Sequence, residues 1–501
     1  MRQIAIIVCP ASLSFHPQLA FSEPFMSDVT AASQGTPQSD SKKSDFTPSP
    51  EAPNTSLLRD KSFWGMLTTQ FLGAFNDNLY KQLMLLLAAP VAVAAAAGAG
   101  QGGGGQSDIQ GWATLVFSLP FVLFSGFAGY LSDRYSKTPI IKLCKITEII
   151  VMLLGAGAFY YYDLLGYWGT WIVLFLMGSQ SSFFGPGKYG ILPELFREED
   201  LPRANSLMVM TTFLAIIFGT VAAGQLKDSL TAADGSTSQI WLGLVVCVGI
   251  AIAGTLTSYL VRHVAPAQPQ MKFTPDSLGI SRPVWNLLSI DKTLLGALLV
   301  SSVFWLVSGT AVPTVNRLGR WLELSDTLTS ALTACIGLGI MIGALFTSWL
   351  CRRGYGDRCV SIGLVGIFGC LVALGFWNGD THLLGFGGSV VALLGIGIFA
   401  ALLAIPLQVF MQSRPPTELK GRMIATMNQA NFVGILISGP LYQVFEAIAT
   451  GLGLPISTVF WMLAALVMPL GAFYRLKSST PLPELDSTVS VTGVNSASAS
   501  G

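Results

Sequence analysis

Apolar residues along this chain gather into twelve long runs separated by short polar breaks. The runs lie near 63–97, 112–131, 139–162, 168–187, 205–226, 240–261, 293–315, 327–350, 359–377, 383–411, 423–445 and 456–475. About 20 apolar residues suffice to cross the hydrocarbon core of a bilayer as a helix. Backbone polar groups in lipid must be satisfied within their own segment, which selects helices for such runs. The pattern predicts an all-α membrane protein with twelve transmembrane helices. The first run is longer than a span needs, and its end, with Gly102-Gly103-Gly104-Gly105, reads as a flexible loop.

The largest internal polar break, about 262–292, divides the runs six and six. Weak echoes relate the two sets. Pro186-Gly187-Lys188 closes the fourth run ahead of Arg203, and Pro406-Leu407-Gln408 lies late in the tenth ahead of Arg422. Phe63-Trp64 in the first run is echoed by Phe304-Trp305 in the seventh. Two six-helix pseudo-repeats are the pattern of a secondary transporter whose site lies near the midplane between them. The expected organisation is a disordered tail over 1–61, a first half over 62–262, a linker over 263–292, a second half over 293–476 and a second disordered tail over 477–501. Within the first tail, Met1–Ala11 weakly imitates a signal peptide, and Met26 stands as an alternative start.

Basic residues fix the orientation. Arg134 and Lys137, Arg197 and Arg203, Arg262, Lys272 and Arg282 follow the second, fourth and sixth runs. Arg352, Arg353 and Arg358, then Arg414, Lys420 and Arg422, then Arg475 and Lys477 follow the eighth, tenth and twelfth. The alternate loops hold only Lys227, Arg317 and Arg320. This bias places both termini in the cytoplasm.

Composition agrees. Hydrophobic residues make up 51% of the chain and charged residues 11%, less than half of what a soluble domain carries. The net charge of +1 gives no reason to expect a nucleic-acid partner. His16, His263 and His382 do not pair at ligand spacing, and the seven cysteines include no CxxC, so neither a metal, a disulfide nor a cofactor is expected.

Against this background one stretch stands out: Phe71-Leu-Gly-Ala-Phe75-Asn76-Asp77-Asn78-Leu-Tyr-Lys81, inside the first run. An ionisable group at the bilayer centre costs roughly 3 kcal/mol or more, and such groups face a protein interior or a water-filled cavity. The stretch therefore marks a substrate or ion pathway. Asp77 and Lys81 are also spaced to neutralise each other on one helix face. Lys188 either faces the pathway or snorkels to the nearby surface. Lys142, Lys145 and Glu148 open the third helix and read as an interfacial cluster, with Glu148 deep enough to be watched.

Two motifs carry a resemblance. Gly129-Tyr-Leu-Ser-Asp133-Arg134-Tyr-Ser-Lys137, between the second and third runs, resembles the G-x-L-a-D-r-x-G-r-K loop of the major facilitator superfamily. That likeness implies the major facilitator fold, with Gly129 allowing close helix contact and Asp133 meeting a cation or a helix N-terminus as the halves rock. The second half keeps Arg352 and Arg353 but lacks the acid. The stretch around Asp77, Gly185-Pro-Gly-Lys188-Tyr189-Gly190-Ile-Leu-Pro-Glu194 and Arg203-Ala-Asn205-Ser-Leu-Met resemble the lysophospholipid transporter family, closely over 63–226 and more loosely beyond. The same helices occur in fused bacterial proteins that also carry an acyltransferase and an acyl-ACP synthetase.

The resemblance implies a multi-pass protein of the bacterial cytoplasmic (inner) membrane. It would move lysophospholipid, chiefly lysophosphatidylethanolamine, to the inner leaflet for re-acylation, and would not itself be an enzyme. Its expected partners are the lysophospholipid substrate, membrane lipids and a separate acyltransferase/acyl-ACP synthetase. In this reading Lys188 meets the phosphate as a point charge, Asp77 the ammonium or a coupling cation, and Asn76 and Asn78 add neutral hydrogen bonds. Phe71, Phe75, Phe183, Phe184 and Tyr189 line a slot for the acyl tail, and Arg317 serves at an outer gate. The alternatives are a proton-coupled major facilitator exporter of drugs or small amphiphiles, with Asp77 as the proton carrier, and a non-transporting scaffold for an acyltransferase.

Overall fold

The structure, a computed structural model, describes residues 57–89, 108–197, 200–232, 239–273, 279–280, 282–416 and 419–477. The glycine-rich loop at 102–105, residues 1–56 of the first tail and residues 478–501 of the second lie outside the described residues. Within the described residues, each of the twelve apolar runs forms a helix. In chain order they are α1 Lys61–Ala88, α2 Gln110–Arg134, α3 Lys137–Tyr160, α4 Tyr162–Gly190, α5 Leu201–Leu230 and α6 Ile240–Ser258. Then come α7 Lys292–Trp321, α8 Asp326–Arg352, α9 Gly356–Leu374, α10 Gly385–Ser413, α11 Lys420–Gly451 and α12 Thr458–Phe473. By length and composition α2 and α5 to α11 suffice to cross a membrane, and α12 is a shorter apolar helix. The helices α1, α3 and α4 match them in length and carry the ionisable residues discussed below. Between α9 and α10, Trp377–Asn378 and Thr381–His382 form a minimal antiparallel hairpin.

Neighbour relations repeat with a step of six helices. Within the first half α1 packs on α5 and α6, α2 on α4, and α3 on α4 and α6; within the second, α7 packs on α11 and α12, α8 on α10, and α9 on α10 and α12. The halves meet along α2–α11 and α5–α8, which are mates under the same step. At the first seam Gly111 and Gly439 are indispensable to the approach. A Cβ on either would stand 2.3 Å from the other's carbonyl oxygen. Small residues at such crossings let backbones close up where lipid offers no hydrophobic drive.

The first helix of each half starts in the same way. Asp60 caps α1 by accepting from the Ser62 amide at 2.7 Å, and Asp291 caps α7 by accepting from the Thr293 and Leu294 amides at 3.1 and 3.0 Å. Each cap is ion-paired, Asp60 to Arg262 at 2.8 Å and Asp291 to Arg414 at 2.5 Å. These caps correct two expectations. Residues 57–61 are ordered, with a 3₁₀ turn at Leu57–Arg59 and Leu57 buried, so the disordered tail does not extend to 61. The Phe63-Trp64 and Phe304-Trp305 echo also fails: the first pair lies in the opening turn of α1, the second deep inside α7. Part of the expected linker, Arg282–Ile290, is a short helix that buries Val284, Leu287 and Leu288.

Candidate functional site

The polar run on α1 does not act as one patch. Successive residues of a helix turn by about 100°, so three neighbours face three directions. Asn76 is fully buried and points at α3 and α6, its Nδ2 donating to Glu148 Oε1 at 3.1 Å and to the Cys247 carbonyl at 3.2 Å. Asp77 points at α4, where Ser181 Oγ donates to its Oδ2 at 2.5 Å. Asn78 turns toward α5: its Cβ would lie 3.3 Å from a Cβ on Gly219, and its Nδ2 donates to the Ala74 carbonyl of its own helix at 2.7 Å. Asn76 and Asn78 therefore do not share the face of Asp77. Ser181, invisible to motif reasoning, does.

Asp77 Oδ1 is buried without a hydrogen-bond partner. Among the described residues no ion pair within 4 Å reaches the Asp77 carboxylate; Glu148, Lys145, Lys188 and Lys81 are among its charge neighbours. Lys81 does not neutralise it in contact, and instead places its Nζ 5.4 Å from the centroid of the Phe117 ring. Lys188 Nζ sits 4.9 Å over the ring of Tyr189, which is 42% exposed. Of the expected tail-slot aromatics, Phe71 and Phe75 pack on each other and Phe183 stacks on Phe124. Phe184 is 8% exposed within the core near the start of α1, so it is packing, not lining.

The cluster at the start of α3 differs from its expected interfacial setting. Lys142 is half-buried and sits 5.0 Å over the Tyr259 ring, but Lys145 and Glu148 are 0% and 1% exposed and pair with each other. Their depth follows from helix geometry. Lys145 stands eight residues beyond Lys137, about 12 Å along the axis.

At the end of the bundle where α1 begins, the loop motif forms a compact polar knot. Lys137 runs past Gly190, where a Cβ would come within 2.9 Å of its Cε, and pairs with Glu194. Asp133 interacts with both charges. Burial raises the Glu194 carboxyl above the ordinary carboxylate value, and the hydrogen bond and charge of Lys137 oppose that rise. Arg134 donates to the Tyr130 hydroxyl and, at 3.2 Å, to the Met271 carbonyl, while the Gln268 amide donates to the Asp133 carbonyl at 2.8 Å. The connection after α6 is thereby tied to the loop. A Cβ on Gly129 would meet nothing within 4 Å, so this glycine makes no close helix contact here.

At the opposite end, polar contacts cross between the halves. Gln82 Nε2 on α1 donates to Asn316 Oδ1 on α7 at 2.8 Å, and Asn316 Nδ2 donates to Gln110 Oε1 on α2 at 3.0 Å. Tyr442 on α11 donates to Asp108 at 2.6 Å, and Arg317 Nε lies 3.6 Å from the same carboxylate. A second group joins α5 to α8: Lys227 and Arg320 pair with Asp326 at 3.2 and 2.7 Å, and Asp228 accepts from the Asp326 and Thr327 amides. Arg317 thus stands beside Asp108 at this end of the bundle. Lys227 and Arg320 read in the sequence only as loop charge, and Asp108, Tyr442 and Asp326 carry no signal until the halves meet. Burial raises the Asp108 carboxyl above its ordinary range, against the opposing effect of Tyr442, Gln110 and Arg317.

Comparison with known proteins places this geometry. The profile of the Major Facilitator Superfamily matches residues 69–439. The chain is similar to the lysophospholipid transporter LplT of Serratia proteamaculans (strain 568), at 26% identity over 79% of this chain and 91% of the relative. It is also similar to LplT of Enterobacter sp. (strain 638), at 28% identity over 80% and 92% of the two chains. Among solved structures it resembles the nucleoside transporter NupG, with a TM-score of 0.59 at 12% identity over 83% of this chain and 98% of the other. The inward-open xylose transporter XylE from E. coli gives a TM-score of 0.57 at 12% identity over 85% and 98%. With twelve long helices among the described residues, a six-helix repeat and a family match over most of its length, the chain belongs to the major facilitator superfamily.

Proposed function

We propose that this chain is an alternating-access transporter of lysophospholipid, of the lysophosphatidylethanolamine class. It would act in a bacterial inner membrane with both termini in the cytoplasm and deliver lipid for re-acylation by a separate acyltransferase/acyl-ACP synthetase. The carrying observation is the buried, unpartnered Oδ1 of Asp77 with Lys188 among its charge neighbours. A zwitterionic phosphate–ammonium head brings the two charges that such a pair can receive, the phosphate at the lysine and the ammonium at the carboxylate. The named activity of the relatives supports the same cargo. The cross-half contacts at the Gln82 end fit a state sealed there, from which substrate is exchanged at the other end.

One observation favours proton-coupled export of amphiphiles instead: among the described residues no cation lies within 4 Å of the Asp77 carboxylate. A single experiment separates the readings. Uptake of labelled lysophosphatidylethanolamine into the inner leaflet of spheroplasts is measured across a range of pH at fixed membrane potential, with sugars and drugs as competitors. The proposal expects uptake that neither competitor class blocks and that survives collapse of the proton gradient. Strict dependence on that gradient, or competition by unrelated drugs, would transfer the assignment to the exporter.

A further inference from the structure

The first half buries an ion pair where the second half buries hydrocarbon. Lys145 and Glu148 stand eight and eleven residues beyond the first residue of α3; the same steps along α9 reach Leu364 and Ile367. Asn76 stands fifteen residues beyond the first residue of α1; the same step along α7 reaches Val307. The correspondence holds in space. Asn76 bonds to Glu148, and Val307, Leu364 and Ile367 line one void of about 10 Å³. The fold is therefore satisfied by aliphatic side chains in this place, and replacing a buried ion pair by packed hydrophobic residues is commonly neutral or stabilising. Stability does not account for the pair.

Its contacts give another account. Lys145 Nζ donates to Glu148 Oε2, and Gly73 on α1 and Gly254 on α6 leave the room it occupies, since a Cβ on either would come within 3.0 Å of it. The other carboxylate oxygen, Glu148 Oε1, holds the Asn76 amide. Asn76 precedes Asp77, so fixing its side chain fixes the rotation of α1. The pair is net neutral, so it acts on Asp77 through this geometry and not through added charge.

Resting on the lysophospholipid reading above, we propose that Lys145 and Glu148 are specificity-determining positioning residues. Through Asn76 they set the rotation of α1 that turns Asp77 toward Ser181, and so let Asp77 favour a cation-bearing head group over a neutral one. The test compares uptake of lysophospholipids with ethanolamine and glycerol heads by the wild type and by Lys145→Leu/Glu148→Ile, which installs the second half's own residues. The wild type should prefer the ethanolamine head. The double variant should reach the membrane in normal amount and lose about tenfold or more of that preference, as expected for a close charge interaction removed.

Should the variant fail to accumulate, Asn76→Leu, which breaks the link to Glu148 and leaves the ion pair in place, is read in the same way. An unchanged ratio in an active variant overturns the proposal. So does a wild type indifferent to the head group, or the absence of both variants from the membrane, which would assign the pair to folding. A wild type that carries neither lipid contradicts the transport reading itself.

Discussion

Gln82 on α1 donates to Asn316 on α7 at 2.8 Å, with both residues buried, so the first helices of the two halves touch through a side-chain hydrogen bond at one end of the bundle. In an alternating-access cycle this contact must break. Gln82→Cys/Asn316→Cys, cross-linked by an oxidant, should abolish uptake, and a thiol reductant should restore it. Transport by the cross-linked protein would mean that this end never opens.

Asp108 gives the same seal a pH dependence. Burial raises its carboxyl, so the closed form holds the proton more tightly than an opened, hydrated form does. Closure is then most favoured below the ordinary aspartate value and weakens as pH rises through the closed-state value. Spin-label distances between the start of α2 and the end of α11 should lengthen with rising pH on that side. Asp108→Asn should flatten the response, and a reversed slope would contradict the assignment.

The opposed charges of Asp77 and Lys188 predict a graded series. Asp77→Asn should abolish lysophospholipid uptake with protein still in the membrane. Lys188→Gln should cripple uptake by the equivalent of about 2–5 kcal/mol, while Lys188→Arg keeps part of it. Initial-rate uptake normalised to membrane protein measures all three, and wild-type uptake by Lys188→Gln would return that lysine to surface snorkelling.

The polar knot behind the α2–α3 loop separates stability from turnover. Glu194→Gln leaves the 4%-exposed Lys137 without its partner and should lower stability by about 3 kcal/mol, read as thermal unfolding in detergent. Asp133→Ala lies far from Asp77 and should slow turnover more than it weakens substrate binding, as a shift between access states does. A large loss of affinity with intact turnover would count against that role.

Much of this was legible in the residue pattern because bilayer thickness imposes it. Twelve apolar runs became twelve helices, and the polar break after Ser258 marks where the repeat restarts. Asp77 stood out because a carboxylate in an apolar run is costly anywhere. The rotation of α1 was not legible: Asn76, Asp77 and Asn78 are adjacent in sequence yet face three different helices. Lys145 and Glu148 were misread for a related reason. Charges near a helix start resemble an interfacial cluster, and only α1 and α6 closing over them, with glycine at Gly73 and Gly254, reveals an interior pair. Asp108, Tyr442 and Asp326 acquire meaning only from a partner in the other half, and no local pattern carries that.

The paired caps have a consequence for synthesis. Arg262 reaches back 202 positions to Asp60, and Arg414 reaches back 123 to Asp291. Each lock joins groups made within a single half. As the chain leaves the ribosome, the first can fasten before Asp291 has emerged, and the second needs nothing from the first. The opening helix of each half is thus secured in its own time, and the later half docks onto a partner whose entrance is already pinned.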